Sequence, residues 1–152
     1  MLAAPHKTFI SHSLEETRAF GRRLAHLLKS GDLLALHGEL GTGKTTLAKT
    51  ILSTLTTLPE NAIQSPTFTY LQIYETSHFP LCHFDLYRLT SSEDFVKRGF
   101  LDYLEKPYVC LIEWPSKIKD LLPPDSLCLL LSHLENRQRQ FQECLWKEAL
   151  CL

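Results

Sequence analysis

Gly38-Glu39-Leu40-Gly41-Thr42-Gly43-Lys44-Thr45-Thr46 is the stretch on which the reading of this chain turns. Gly38, Gly43, Lys44 and Thr45 meet the spacing G-x-x-x-x-G-K-[ST] of a P-loop. Glycines permit backbone conformations that other residues resist, so the amides of such a loop can converge on phosphate oxygens. A helix behind the loop adds its unpaired N–H groups and the positive end of its dipole. The bare pattern arises by chance in roughly 0.5% of chains of this length at average residue frequencies. Its surroundings therefore decide between a phosphate cradle and an ordinary glycine turn.

The surroundings favour the cradle. Leu33-Leu34-Ala35-Leu36-His37 is apolar along nearly its whole length, which suits a strand covered on both faces in a parallel sheet. Behind the loop, Leu47, Ala48, Ile51, Leu52 and Leu55 form an apolar stripe at helical spacing between Thr45 and Leu55. In this order the loop amides from Glu39 to Thr46 face a nucleotide. Lys44 reaches its β- and γ-phosphates, the Thr45 hydroxyl ligates Mg²⁺, and Thr46 touches the α-phosphate side. Mg-ATP is the expected ligand.

A P-loop site needs a carboxylate near its metal, usually at the tip of a neighbouring apolar strand. Two qualify. Glu113 follows Val109-Cys110-Leu111-Ile112, and Asp85 follows Cys82-His83-Phe84. Ligands in open parallel sheets sit beyond the carboxyl ends of the strands. Glu113 is otherwise a solvated strand end, and Asp85 the ion-pair partner of Arg88. Ser65-Pro66-Thr67-Phe68 is either a segment that senses the γ-phosphate, with Thr67 hydrogen-bonding there, or a turn cap. His83 reads as a packed or hydrogen-bonded histidine, and His37 has no clear chemical role.

Working outward, Phe9-Ile10 reads as a short edge strand. Ser13-Leu14-Glu15-Glu16 is a capping box, and Gly31 is the expected stop of the helix it opens. Thr67 to Tyr74 and Leu81 to Leu86 read as strands. Ser91-Ser92-Glu93-Asp94 opens a helix continued by Phe95 to Leu104 and interrupted at Gly99. Leu127 to Leu134 and Arg139 to Leu145 bracket Glu135-Asn136-Arg137 as a final hairpin, followed by a short helix from Trp146 to Leu152. The expected architecture is α/β and P-loop NTPase-like: a largely parallel central sheet flanked by helices, with antiparallel strands including that hairpin. With no repeat or linker, residues 1–152 read as one domain.

Composition fits an ordinary globular protein. Of 152 residues, 44% are hydrophobic and 22% charged, and the net charge of -1 offers no basic surplus for broad nucleic-acid binding. The longest apolar runs fall far short of the ~20 residues of a membrane span. The stretch from Met1 to Lys7 lacks the regions of a secretory signal, so the expected compartment is the cytoplasm. Cys82, Cys110 and Cys128 lie inside apolar runs, and no cysteine pair has CxxC spacing. Core thiols are expected rather than disulfides or a metal site.

The motifs fall into one order: the glycine loop, Ser65-Pro66-Thr67-Phe68, His83-Phe84-Asp85-Leu86-Tyr87-Arg88-Leu89, and Glu113-Trp114-Pro115. This order resembles the TsaE (YjeE) family, small bacterial ATPases of tRNA threonylcarbamoyladenosine (t⁶A) synthesis. The resemblance runs from the Glu15-Glu16-Thr17 helix start to the final hairpin. It implies an ATPase working with TsaB and TsaD on position 37 of tRNAs reading ANN codons. TsaD performs the transfer, and the ATPase resets the complex between cycles. By the resemblance Lys44 holds phosphates, Thr45 and Glu113 hold Mg²⁺, and Asp85 supports hydrolysis. Thr67 sits in a switch-like segment, and Trp114 shapes the site. The segment around Ser11 is implied on the adenine side, and Arg137 matches the arginine of a Gly-Arg turn, with Asn136 in place of the glycine. Glu39 and Thr42 stand where Asp and Ala are commoner. Contact with tRNA is expected through the assembly.

Three other readings compete. A small-molecule kinase needs an arginine-rich lid, and the one sizeable insertion, Leu89 to Pro107, holds only Lys97, Arg98 and Lys106 as basic residues. A GTPase needs a guanine-reading N-K-x-D segment, which Asn136-Arg137-Gln138-Arg139 does not supply. A decayed, non-enzymatic module conflicts with intact Lys44, Thr45, Asp85 and Glu113.

Overall fold

The computed structural model describes residues 7–151. Met1 to His6, read above for a leader, and Leu152, the end of the expected tail helix, lie outside that range. Among the described residues, seven strands form one sheet: β1 (Thr8–Ser11), β2 (Leu33–Gly38), β3 (Leu71–Tyr74), β4 (Leu81–Asp85), β5 (Val109–Glu113), β6 (Leu127–His133) and β7 (Arg139–Leu145). Their order is β1-β7-β6-β2-β5-β4-β3. The middle four, β6-β2-β5-β4, are parallel, while β1, β7 and β3 pair antiparallel at the flanks. The parallel character expected from the apolar runs thus belongs to the centre. There β4 and β5 are buried at every position, as strands covered on both faces must be.

Side-chain alternation sorts the strands onto two cores. Leu34, Leu36, Leu81, Val109, Leu111, Leu129, Leu131 and Phe141 face α1 (Leu14–Ala25) and α2 (Lys44–Thr56), meeting Phe20, Leu24, Leu47 and Ile51. Cys82, Phe84, Cys110, Ile112, Cys128 and Cys144 face the other way. They pack with Phe95 of α3 (Ser92–Lys97) and with Trp146 and Ala149 of α4 (Trp146–Ala149). All four of these cysteines are free and buried, in keeping with core thiols. No helix among the described residues is long and apolar enough to cross a membrane.

The Ser13 cap forms as read: its hydroxyl accepts from the Glu16 N–H at 3.1 Å, while the Glu16 carboxylate reaches back to the His12 N–H at 2.7 Å. Other boundaries differ. Helix α1 ends at Ala25, well before Gly31. That glycine, at φ +91°, turns the chain into β2 and donates its N–H to the Tyr108 carbonyl. The expected helix to Leu104 stops at Lys97 because Gly99 adopts φ +76°, and Leu101–Leu104 is a separate 3-10 turn.

The strand expected from Thr67 begins only at Leu71. Thr67 to Tyr70 instead form a turn, closed by the Tyr70 N–H on the Pro66 carbonyl at 2.7 Å with Tyr70 at φ +66°. A carboxylate holds this segment out of the sheet, as described below. The final hairpin forms, turned by Asn136 and Arg137 at φ +58° and +62°.

Candidate nucleotide site

The sheet face that covers α1 and α2 is apolar along its length and polar at one end. Continuing the alternation past Leu81, Leu111, Leu131, Phe141 and Phe9 brings in His83 and Asp85, Glu113, His133, Arg139 and Ser11. The residues of this end surround the start of α2, so the candidate chemistry gathers at the strand tips beside the glycine loop.

Gly43, at φ +102°, is the N-cap of α2, with no capping side chain and no acid in the first helical turn. The opening amides of the helix are thus left for an external anion. A Cβ at Gly38 would collide with the Leu131 carbonyl oxygen, so the strand tip and loop pack too closely for any side chain there. Thr42 is buried, its hydroxyl donating to the Glu39 carbonyl at 2.9 Å to brace the loop. Leu40 projects outward, 74% exposed.

The Lys44 ammonium donates to the carbonyls of Gly38 (2.8 Å) and Glu39 (2.7 Å) and stands 4.1 Å over the Trp114 ring. Burial lowers its pKa, opposed by Glu113, Asp85 and Glu39. Trp114 holds this place in a left-handed conformation, φ +60° and ψ +50°, with Pro115 opening the next turn and Tyr87 packed against the indole at 5.0 Å. A bulky residue at positive φ is strained. Its position under Lys44 gives that strain a local use.

Thr45 Oγ1 donates to Glu113 Oε2 at 2.7 Å, tying the start of α2 to the tip of β5. Glu113 is 1% exposed, so the solvated-strand-end reading is corrected. A hydroxyl and a carboxylate are hard oxygen donors suited to Mg²⁺, which takes one or two carboxylates and fills its octahedron with water and phosphate oxygens. Among the described residues no group of three His, Cys, Asp or Glu could form a cage for a metal ion, so the donor set fits Mg²⁺ brought with a nucleotide. The other oxygen of Glu113 is 2.8 Å from Nε2 of His83, which is buried and hydrogen-bonded as the sequence suggested.

Asp85 Oδ2 accepts from Thr67 Oγ1 (2.9 Å) and Ser65 Oγ (3.2 Å), and Oδ1 from the Tyr87 N–H (3.2 Å). These contacts hold the Ser65-Pro66-Thr67 segment in its turn against β4. The alternative partner, Arg88, lies elsewhere: its guanidinium is 4.7 Å over the exposed Phe68 ring.

Two expected residues sit differently from the rest. Ser11 is buried, its hydroxyl shared between the Ser13 carbonyl and Thr17 Oγ1, each at 2.8 Å. Arg137 is exposed on the hairpin turn. The arginine that lies on the loop is Arg139: its NH1, Cδ and Cζ come within 3.4–3.6 Å of where a Gly43 Cβ would stand. His133, its cross-strand partner, comes within 3.8 Å of the same point on Gly41. The sequence signal for Arg139 was its spacing two residues before core-facing Phe141, which puts both on one face.

Comparison with known proteins agrees with this fold. The family model described as "Threonylcarbamoyl adenosine biosynthesis protein TsaE" matches residues 11–141. The chain is 41% identical to the tRNA threonylcarbamoyladenosine biosynthesis protein TsaE of Rickettsia conorii, over 84% of this chain and 72% of that one. It is 36% identical to its Bacillus subtilis namesake, over 83% and 77%. A crystal structure of Bacillus subtilis YdiB superposes with a TM-score of 0.70 at 29% identity, covering 96% of this chain and 91% of that one. A glycine loop, a hydroxyl–carboxylate pair and a matched span that contains them all converge: the chain belongs to the TsaE family, which serves the biosynthesis of threonylcarbamoyladenosine in tRNA.

Proposed function

We propose that the chain is a Mg²⁺-dependent ATPase, acting as one unit over residues 1–152, that drives t⁶A synthesis by resetting a cytoplasmic complex of TsaB and TsaD between cycles. The observation that carries this reading is the 2.7 Å hydrogen bond between Thr45 and Glu113 at the mouth of a phosphate loop. Mg²⁺, when bound, supplies positive charge to the β- and γ-phosphate oxygens.

The chain's own residues do the rest. The amides from Glu39 to Thr46 hold the phosphates, and the Lys44 ammonium exchanges its two carbonyl acceptors for phosphate oxygens. Asp85, two residues beyond His83 on β4, orients the attacking water. Thr67, bound to Asp85, links that carboxylate to a segment able to respond to the γ-phosphate. Ser11 and Arg137 border the base side. Hydrolysis is slow in isolation, because part of the charge stabilisation in such enzymes comes from another protein. With a net charge of -1, the chain meets tRNA through its partners.

The test is t⁶A synthesis by TsaB and TsaD under multiple turnover, with the chain, without it, and with Lys44→Ala. Turnover beyond the first cycle is expected only with the intact chain. Equal yields in all three reactions would reject the proposal.

A further inference from the structure

His83 is the one fully buried imidazole of the site, and neither the glycine loop nor the hydrolytic carboxylate requires it. Its exposure is 0%, and it lies on the same face of β4 as Asp85. Across the parallel pairing it stands opposite Leu111, so Glu113, two residues on, shares its face. A carboxylate only accepts hydrogen bonds, so the 2.8 Å contact is a donation from His83 Nε2–H to Glu113 Oε1. The second nitrogen, Nδ1, is buried with no partner among the described residues. The ring thus has one hydrogen bond, and it is spent on Glu113.

Each oxygen of that carboxylate has its own donor: His83 on Oε1 and Thr45 on Oε2. A glutamate side chain with one anchored oxygen cannot rotate freely about its last bond. The imidazole therefore fixes which oxygen faces α2 and the phosphates.

We propose that His83 is a positioning residue for the magnesium carboxylate: it holds Glu113 with Oε2 turned to Thr45, so that a hydroxyl and a carboxylate oxygen are ready together for the metal. The orphaned Nδ1 is the cost of placing a donor in this buried spot between β4 and β5. Removing such an outer partner of a metal ligand typically costs 10–100-fold in metal affinity. This inference rests on the nucleotide reading given above.

The experiment measures Mn²⁺ binding to the ADP-loaded chain by electron paramagnetic resonance, beside ADP affinity with chelator present, for the parent, His83→Leu, His83→Gln and His83→Asn. His83→Leu is expected to lose about 10–100-fold in Mn²⁺ affinity while metal-free ADP binding stays at the parental value. Glutamine can place an N–H where Nε2 stands and should recover most of the loss. Asparagine reaches only the Nδ1 position and should not. If His83→Leu does not fold, the Gln–Asn pair decides, and equal Mn²⁺ affinities for those two overturn the inference. Parental Mn²⁺ affinity in a folded His83→Leu overturns it alone. A parent chain that binds no nucleotide overturns the functional reading and this inference with it.

Discussion

Thr45 and Glu113 stand 68 positions apart in the chain and are joined by a 2.7 Å hydrogen bond between the first turn of α2 and the tip of β5. The bond exists because β2 and β5 are parallel neighbours with Leu36 opposite Glu113, so the loop that leaves β2 passes over the carboxylate. Thr45→Ser keeps the hydroxyl and should retain Mg²⁺-dependent ADP binding. Thr45→Val keeps the shape, removes the donor and leaves Glu113 without that partner. It should lose about tenfold or more of the magnesium enhancement, read by titrating ADP with and without Mg²⁺ in a calorimeter.

Asp85 accepts hydrogen bonds from three donors, and among the described residues no ion-pair partner reaches it. A carboxylate that orients water acts on the chemical step rather than on binding. Asp85→Asn should therefore lower kcat by about 10²–10⁴-fold with little change in ADP affinity. Single-turnover hydrolysis beside equilibrium binding checks this. Parallel losses in both would assign Asp85 to scaffolding.

The Lys44 ammonium lies 4.1 Å over the Trp114 ring, and the chain has two tryptophans. A lysine that turns to phosphate leaves the indole face, so nucleotide binding should change Trp114 emission. Trp146 is buried with its indole N–H on the Lys119 carbonyl at 3.2 Å and does not lie under Lys44. Trp114→Phe is expected to abolish the ADP-induced fluorescence change, and Trp146→Phe to leave it. A signal that survives Trp114→Phe would contradict the arrangement.

Arg139 rests on Gly43, while Arg137 projects from the hairpin turn. The Arg139 side chain makes no hydrogen bond or ion pair with the described residues. A charged hydrogen bond to the nucleotide is worth about 1.5–3 kcal/mol, so Arg139→Ala should weaken ADP binding by at least about tenfold. Arg137→Ala should weaken it less. The reverse order, measured with a fluorescent ADP analogue, would restore the hairpin-turn arginine as the main contact.

His37 is the next-to-last residue of β2, with its ring edge-on to Trp146 at 6.1 Å. Burial first, and then Lys44, lower its pKa below the ordinary 6.5. A folded state that disfavours the protonated ring binds fewer protons than the unfolded chain. Its contribution to stability is thus complete above pH 6.5 and is lost as pH falls toward the lowered folded value. Thermal unfolding of the parent should shift downward over that window, and His37→Gln should flatten the dependence.

Much of the site was legible because its parts are local. The capping box at Ser13, the apolar run of β2, the glycine spacing and the stripe of α2 each depend on residues a few positions apart. What misled was composition without context. Thr67 to Tyr70 have the side chains of a strand, yet Ser65 and Thr67 spend their hydroxyls on Asp85, and the chain turns instead. Gly31 looked like a helix stop, but α1 closes at Ala25 and the glycine serves the entry to β2.

By itself the sequence determined the glycine loop, the strand and helix on either side of it, and the two acidic strand tips, since backbone freedom, hydrophobic period and charge are written residue by residue. Only the tertiary structure decided which groups share an atom-to-atom contact. Strand order put Glu113 beside Thr45. Pleat parity put His83 behind Glu113 and Arg139 over Gly43. A left-handed turn put Trp114 under Lys44. Such pairings follow from register and twist across residues far apart in the chain, and no local spacing encodes them.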